Sequence, residues 1–293
     1  MENLIEVDQL RKTYADFALE DISFSVEPGM VVGLIGSNGA GKTTTLKLIL
    51  GLIDKEGGSA SVLGQSVDSA MGASVKENIG VVFDSCSFPN SMRVKDIGSL
   101  GAMAYKSWDE LYFAELCDRF DLAPKKTVGA LSRGMGMKLS LAFALAHHPR
   151  LLILDEPTAG LDPIAREDLL EILRDYMDDP NHGVLMSSHI TSDLDKIADQ
   201  VICIDDGKVI FNLAQEDIGD KAGIAHVRSG EVASVLAWLK TQGVSSPYVL
   251  KQDYETVVLV PDRFEFARSF PGIAVEGSTI ESYMTLVLKG GTQ

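Results

Sequence analysis

Residues 36–43 read GSNGAGKT and follow the apolar run VVGLI at 31–35. This octapeptide matches the pattern G-x-x-x-x-G-K-[ST], which binds phosphate when it joins a buried strand to a helix. Its glycines let backbone N–H groups surround phosphate oxygens, and the following helix adds the positive end of its dipole. The stretch therefore predicts an α/β fold with a phosphate-binding loop. The alternative is a glycine-rich strand-to-helix turn that holds no ligand.

The residues of this loop have separate predicted roles. Lys42 can reach the β- and γ-phosphates of a nucleotide, so we assign it to binding and to catalysis, and Thr43 can ligate Mg²⁺. The predicted nucleotide-binding residues of the loop are Gly36, Ser37, Asn38, Gly39, Ala40, Gly41, Lys42, Thr43 and Thr44.

The amino-acid composition limits the classes of protein to which this chain can belong. The chain has 293 residues, of which 45% are hydrophobic, so it can form one large domain or one large and one small domain. Its net charge of −16 argues against a nucleic-acid partner and against direct docking on anionic lipid. The three cysteines form no CxxC pair, which fits a reducing compartment. No apolar run approaches the roughly 20 residues that span a bilayer.

Strand-like apolar runs alternate with helical periodicity as far as residue 214. The runs VVGLI (31–35), IGVVFD (79–84) and LLILD (151–155) are apolar on both faces, as buried parallel strands are. This alternation predicts a mainly parallel sheet with helices on both faces. QVICIDDGKVI (200–210) reads as one further strand. This pattern of alternating strands and helices changes after residue 214, so we predict a main domain at 1–214 and a small α+β domain at 215–293.

Two strand ends carry candidate catalytic groups. Open α/β sheets bind ligands at the carboxyl ends of their strands. Asp155, which ends LLILD, is therefore predicted to hold Mg²⁺, and Glu156 to accept a proton from an attacking water. A helix cap beside Pro157 is the alternative. His189 ends VLMSSH (184–189) and is predicted to contact the γ-phosphate, with a structural role as its alternative.

Residues 131–138, LSRGMGMK, place two glycines at the head of an apolar helix. Each glycine costs about 1 kcal/mol in a helix interior. A kinked or loose N-terminus is one explanation. The other is that a ligand approaches the backbone closely there, which glycine permits.

In order along the chain, these motifs resemble those of the nucleotide-binding subunit of ATP-binding cassette (ABC) transporters. LSRGMGMK resembles the family signature LSGGQ, TAGLD (158–162) the D-loop, and SSHI (187–190) the switch-histidine loop. IGVVFDSCSFPNSMRVKDI (79–97) resembles the Q-loop and the start of the helical subdomain. RKTYADFALEDISFSV (11–26) resembles the segment whose aromatic residue stacks on adenine, which falls on Tyr14. The resemblance covers residues 1 to about 214.

The resemblance implies a fold and a set of site residues. The fold is a P-loop NTPase with a mainly parallel core sheet, an N-terminal antiparallel β subdomain, a helical subdomain at about 85–147, and here a C-terminal appendage. The implied catalytic residues are Lys42, Glu156 and His189, and the implied metal ligands are Thr43, Asp155 and Asp84. Ser132, Gly134 and Asp162 fall on positions that contact nucleotide in the family. Gly136 falls on no such position, and we interpret it as a glycine that the helix tolerates at a cost in stability.

The resemblance also implies an activity and partners. It implies hydrolysis of MgATP in a head-to-tail homodimer, with each signature loop facing the γ-phosphate held by the other subunit. It implies a separate membrane permease, which would hold the chain at the inner, cytoplasmic face of the membrane. The C-terminal segment ESYMTLVLKG (281–290) resembles single-cassette subunits of bacterial drug, antibiotic or bacteriocin exporters.

Two positions depart from the family pattern. Arg133 replaces the first glycine of the signature, where it either points to solvent or adds a cation near the γ-phosphate. Asp84 replaces the Q-loop glutamine and adds a carboxylate, which is a good Mg²⁺ ligand but repels metal-free nucleotide. Two other functions stay open: a non-transport ABC ATPase of regulatory or ribosome-associated type, and a P-loop kinase or other NTPase without a signature loop.

Overall fold

The computed structural model describes residues 2–68, 71–252 and 255–292. Its strands are β1 Ile5–Thr13, β2 Ala18–Val26, β3 Val31–Ile35, β4 Gly57–Val62, β5 Gln65–Ser66, β6 Ile79–Val82, β7 Leu151–Asp155, β8 Gly183–Ser188, β9 Gln200–Asp205, β10 Lys208–Ala214, β11 Gly223–Val227, β12 Tyr248–Lys251, β13 Thr256–Val260, β14 Ala274–Gly277 and β15 Gly291–Thr292. Its α-helices are α1 Lys42–Ile49, α2 Ala73–Lys76, α3 Val94–Ala104, α4 Glu110–Arg119, α5 Arg133–Leu145, α6 Pro163–Tyr176, α7 Thr191–Ile197, α8 Val232–Thr241, α9 Arg263–Ser269 and α10 Ile280–Lys289.

A six-stranded sheet with the order β10-β9-β3-β8-β7-β6 forms the centre of the N-terminal two thirds of the chain. The pairs β3–β8, β3–β9, β7–β8 and β6–β7 are parallel. Every residue of β3, β7 and β8 is buried, as expected for strands covered on both faces. The predicted mainly parallel core sheet is therefore confirmed.

The N-terminal residues form a separate antiparallel sheet with the order β2-β1-β4-β5. Buried positions alternate with exposed ones along much of β1 and β2, so one face of this sheet is apolar. That face contributes to the same core as β3 and α1, with Ile5, Ile22 and Leu46 fully buried. The predicted N-terminal β subdomain is confirmed.

Helices α3, α4 and α5 pack on one another, and α5 also packs on β6. This packing explains why residue 136 is a glycine, because a Cβ there would lie 3.0 Å from the Cβ of Cys86. Gly136 is buried on α5 and lets the helix approach the segment that follows β6.

The C-terminal part is an antiparallel sheet, β14-β11-β13-β12-β15, with helices on both faces. Helices α8 and α9 cover one face with Val235, Leu239 and Phe266, and α10 covers the other with Leu286. The predicted small α+β fold of this segment is confirmed. No helix among the described residues is long and apolar enough to cross a bilayer.

The chain divides into two compact units. The first comprises 1–193 and 200–212, and the second comprises 194–199 and 213–293. We propose that the domain boundary lies at this division, near the predicted residues 214 and 215.

The prediction of one strand over 200–210 was wrong, because β9 and β10 form a hairpin. Asp206 and Gly207 connect them with φ values of 44° and 73°, the left-handed conformation that an Asp-Gly hairpin turn adopts. The turn also supports the phosphate-binding loop, since the Gly207 N–H donates to the carbonyl oxygen of Ala40 over 3.1 Å. Apolar residues on both sides of the turn hid this reversal in the sequence.

Gly207→Ala is expected to destabilise the first unit more than Gly51→Ala. A Cβ on Gly207 would lie 1.8 Å from the carbonyl oxygen of Ala18, whereas a Cβ on Gly51, with a φ of 63°, meets its nearest atom at 3.6 Å. The left-handed conformation alone costs an alanine about 1–2 kcal/mol, and the clash adds about 2 kcal/mol or more. Thermal unfolding of the nucleotide-free chain measures both, and equal losses of Tm would contradict this reading of the hairpin.

Candidate functional site

The phosphate-binding loop joins β3 to α1 and holds Lys42 inside it. The Lys42 ammonium donates to the carbonyl oxygens of Gly36 and Ser37 over 2.8 Å and 3.2 Å. Its distance to Oε1 of Glu156 is 3.6 Å, which is longer than a hydrogen bond. An ammonium has three N–H donors, so Lys42 keeps one for an anion in front of the loop.

Gly36 and Ser37 anchor the loop to β9. A Cβ on Gly36 would lie 2.0 Å from the carbonyl oxygen of Ile204, so only glycine fits there. The Ser37 hydroxyl donates to Asp205 over 3.0 Å. These two residues fix the start of the loop, and neither lines the cavity in front of it.

Asp155 ends β7 and is almost completely buried, with 1% of its surface exposed. Its carboxylate accepts the hydroxyl of Thr43 over 2.8 Å and the hydroxyl of Ser187 over 2.6 Å. These charge-assisted hydrogen bonds offset the cost of burying the carboxylate. The structure thus brings the two predicted metal ligands Thr43 and Asp155 into direct contact. Ser187 supports them, and sequence reasoning did not single it out.

Glu156 follows with a φ of 53°, which is uncommon for a residue with a side chain. Its N–H donates to the hydroxyl and the carbonyl oxygen of Ser187, and these bonds hold the conformation. Oε2 of Glu156 lies 2.5 Å from Nδ1 of His189 and accepts the His189 backbone N–H over 3.1 Å. The turn therefore directs the carboxylate between Lys42 and His189.

An open cavity of about 330 Å³ lies in front of the loop. It is lined by the predicted residues Asn38, Gly39, Ala40, Gly41, Lys42, Thr43, Thr44, Asp84, Glu156 and His189, and also by Phe17, Arg133 and Ala159. A cavity of this size with a few convergent polar groups is typical of a small-molecule site. The acidic residues Asp84 and Glu156 and the cationic residues Lys42 and Arg133 all line it.

Tyr14 does not line this cavity, and Phe17 does. The turn between β1 and β2 explains why Phe17 lines the cavity and Tyr14 does not, because the Tyr14 N–H donates to the Phe17 carbonyl oxygen over 2.7 Å and closes the turn. Tyr14 is 45% exposed, with the Lys12 ammonium 5.8 Å from its ring centre. The Phe17 ring lies against the loop, where a Cβ on Gly41 would meet its Cζ atom at 3.0 Å. The structure therefore places Phe17, and not the predicted Tyr14, at this cavity, and stacking of either ring on adenine stays a prediction.

Comparisons with known proteins agree with this geometry. Residues 19–159 match the family model described as "ABC transporter". The chain is 36% identical over 216 residues to "Nod factor export ATP-binding protein I" of Burkholderia pseudomallei, covering 70% of this chain and 69% of the relative. It is 30% identical over 237 residues to "Phosphonates import ATP-binding protein PhnC" of Treponema denticola, covering 74% and 92%. The chain belongs to the ABC transporter ATP-binding proteins.

A solved structure supports the same assignment. The "Structure of ATP binding subunit of ABC transporter" superposes with a TM-score of 0.68 at 30% identity, over 73% of this chain and 91% of that chain. The predicted P-loop NTPase fold of the ABC type is thereby confirmed.

The signature segment of this ABC protein begins α5. Ser132 caps the helix, and its hydroxyl oxygen accepts the Met135 N–H over 3.2 Å. A Cβ on Gly134 would lie 3.0 Å from a methyl group of Leu161, so Gly134 packs near the D-loop of its own chain. Neither Ser132 nor Gly134 lines the cavity at the phosphate-binding loop. The structure therefore does not bring the signature residues Ser132 and Gly134 to that cavity within one chain.

The D-loop residue Asp162 caps α6. Its carboxylate accepts the N–H groups of Ala165 and Ile164, each over 3.0 Å, and these bonds hold the pKa of Asp162 below its ordinary value. Asp162 is exposed and lies off the cavity wall. Like Ser132, it presents a helix N-terminus outside its own nucleotide-binding cavity.

The donor set fits Mg²⁺. Thr43 supplies a hydroxyl oxygen and Asp155 a carboxylate oxygen next to the cavity, and Asp84 supplies a second carboxylate on its wall. Oxygen ligands with few protein carboxylates, completed by nucleotide phosphates, are what Mg²⁺ takes in such sites. Thr43 and Asp155 would hold the ion.

Phe17→Ala is expected to weaken ATP binding, and Tyr14→Ala is the matched control. Stacking of a base on an aromatic ring contributes about 1–3 kcal/mol in nucleic-acid complexes, which corresponds to a rise in Kd of roughly fivefold to a hundredfold. Tyr14→Ala should leave the Kd unchanged. Calorimetric titration with ATP measures both, and a larger loss in Tyr14→Ala would restore the assignment made from the sequence.

Proposed function

We propose that this chain is the ATP-hydrolysing subunit of an ABC transporter, binding MgATP at the loop of residues 36–43 and hydrolysing it with Glu156. The observation that carries the proposal is the position of the Glu156 carboxylate. It lies between Lys42, which keeps one N–H donor for a phosphate, and His189, whose backbone N–H donates to it. A carboxylate held there can accept the proton of a water that attacks the γ-phosphate.

Each site residue has a distinct task in this mechanism. The backbone N–H groups of the loop and the free N–H donor of Lys42 bind the β- and γ-phosphates. Oε1 of Glu156 orients the water and takes its proton, while the backbone N–H of His189 holds Oε2 in place. His189 is half-exposed on the cavity wall, where its ring can reach the γ-phosphate. Thr43 and Asp155 would hold Mg²⁺, and the ion would supply positive charge against the phosphate oxygens.

We propose a head-to-tail homodimer as the active form. Ser132, Gly134 and Asp162 lie outside the cavity of their own chain, and Ser132 and Asp162 are exposed at helix N-termini. The N-terminus of α5, where the cap Ser132 is neutral, attracts anions. In a two-fold dimer each of these helix N-termini would face the nucleotide of the other chain, which forms two equivalent sites.

The partner we propose is a separate membrane permease, and it places the subunit at the inner, cytoplasmic face of the cell membrane. Membership of the ABC transporter family supports this proposal. We propose export as the direction, supported by the relative named for Nod factor export. A relative named for phosphonate import also matches, so transport assays with the permease in inverted and right-side-out vesicles test the direction. No nucleic-acid partner is expected at a net charge of −16.

Glu156→Gln is expected to lower phosphate release by about 10²- to 10⁴-fold, because an amide cannot accept the proton. ATP affinity should be kept or increased, since the substitution removes a negative charge beside the γ-phosphate. Size-exclusion chromatography with light scattering should then show an ATP-dependent dimer that persists in the variant. Unchanged turnover would remove Glu156 from the mechanism, and a monomer at saturating MgATP would contradict the proposed dimer.

A further inference from the structure

Two departures from the family pattern meet in one cavity. Arg133 stands where the signature has its first glycine, and Asp84 stands where the Q-loop has glutamine. Both line the cavity in front of the phosphate-binding loop of the same chain, together with Glu156. The signature residues on either side of Arg133 do not line it. Arg133 therefore lines the cavity, although its sequence neighbours Ser132 and Gly134 do not.

The Arg133 side chain lies beside a neighbouring glycine. Gly160 has a φ of 78°, and a Cβ there would lie 3.4 Å from Cδ and 3.7 Å from Nε of Arg133. The outer part of the Arg133 side chain therefore lies beside the D-loop, and Arg133 and Ala159 line the same cavity.

Lys42 and His189, which also line this wall, already have partners. Lys42 donates to two carbonyl oxygens and keeps one N–H donor, and the His189 ring bonds to Glu156. Within the described part of the chain, Arg133 forms no ion pair and no hydrogen bond. A guanidinium with all its donors available binds phosphate oxygens in a bidentate manner.

The carboxylates around the cavity give the Arg133 guanidinium a role in charge compensation. Asp84 and Glu156 line the wall, and Asp155 lies buried directly behind Thr43. Three carboxylates repel the γ-phosphate, and Asp84 adds one that the family pattern lacks. Arg133 offsets that added charge at the same cavity.

We propose that Arg133 binds the γ-phosphate of the ATP held by its own chain and makes the site prefer ATP to ADP. This inference rests on the proposed function, because it requires a nucleotide in the loop of residues 36–43. It differs from the arrangement implied by the signature, in which contact is made to the nucleotide of the other subunit. Arg133 is therefore a specificity-determining residue that acts within one chain.

The first experiment compares nucleotide affinities of the full-length monomer. Wild type, Arg133→Ala and Lys138→Ala are titrated with ADP and with the non-hydrolysable β,γ-imido analogue of ATP, at concentrations where light scattering shows monomer. Lys138 is the matched control, because it lies on the same helix over the Phe120 ring and off the cavity wall. Arg133→Ala should lose about tenfold or more in affinity for the analogue, as expected for a charge-assisted hydrogen bond. Its affinity for ADP should be unchanged, and Lys138→Ala should match wild type for both nucleotides.

The second experiment decides which chain supplies the arginine. Mixed dimers are purified through two different affinity tags, and each contains one Lys42→Ala chain, so that one nucleotide site remains. In one dimer the Lys42→Ala chain also carries Arg133→Ala, and its partner is wild type. In the other dimer the arginine substitution is in the partner of the Lys42→Ala chain. The first dimer should hydrolyse ATP as fast as the reference dimer of wild type and Lys42→Ala, and the second should be slower by about tenfold or more.

The outcomes separate this inference from the proposed function. If wild type binds neither nucleotide, the proposed function fails, and the inference fails with it. If wild type binds both and Arg133→Ala leaves the ratio of the two affinities unchanged, only the inference is overturned. It is also overturned if the two mixed dimers show the reverse order of activity or equal activity.

Discussion

The buried carboxylate of Asp155 connects the three strands that build the site. It ends β7, accepts the hydroxyl of Thr43 from the loop after β3, and accepts the hydroxyl of Ser187 from β8. Since β8 lies between β3 and β7 in the sheet, these bonds cross the sheet at its carboxyl edge. A buried charge costs several kcal/mol unless it is paired or hydrogen-bonded. The two hydroxyl donors therefore fix Asp155 and, through it, the start of α1.

The position of the Glu156 carboxylate, the proposed catalytic group, follows from the same edge of the sheet. The chain leaves β7 through Glu156, whose left-handed conformation is held by two bonds from its N–H to Ser187. Without them the conformation would cost about 1–3 kcal/mol. The resulting turn places the carboxylate beside Lys42 and His189, as the proposed hydrolysis requires. Asp155 and Glu156 thus combine the end of a strand, a left-handed turn and the proposed catalytic group.

The sequence predicted the parts of the site that depend on neighbouring residues in the chain. The run VVGLI followed by GSNGAGKT, and the run LLILD followed by Glu156, specify strand and loop together. Contacts between distant segments were harder to predict. Tyr14 and Phe17 both fit an aromatic position, and only the closure of the β1–β2 turn brings Phe17 to the loop. The side chain of Arg133 lies beside Gly160 and Arg133 lines the cavity, and the spacing of these two residues along the chain does not reveal this.

The most direct test of a magnesium nucleotide site at this edge is the metal dependence of ATP binding in Thr43→Val. Valine keeps the shape of threonine but lacks the hydroxyl that joins Asp155 and would ligate the ion. Calorimetric titration of wild type should show tighter binding of ATP with Mg²⁺ than of ATP in EDTA. In Thr43→Val this difference should fall by about tenfold or more, while binding in EDTA is kept. An unchanged difference between the two conditions in the variant would contradict a magnesium site at Thr43 and Asp155.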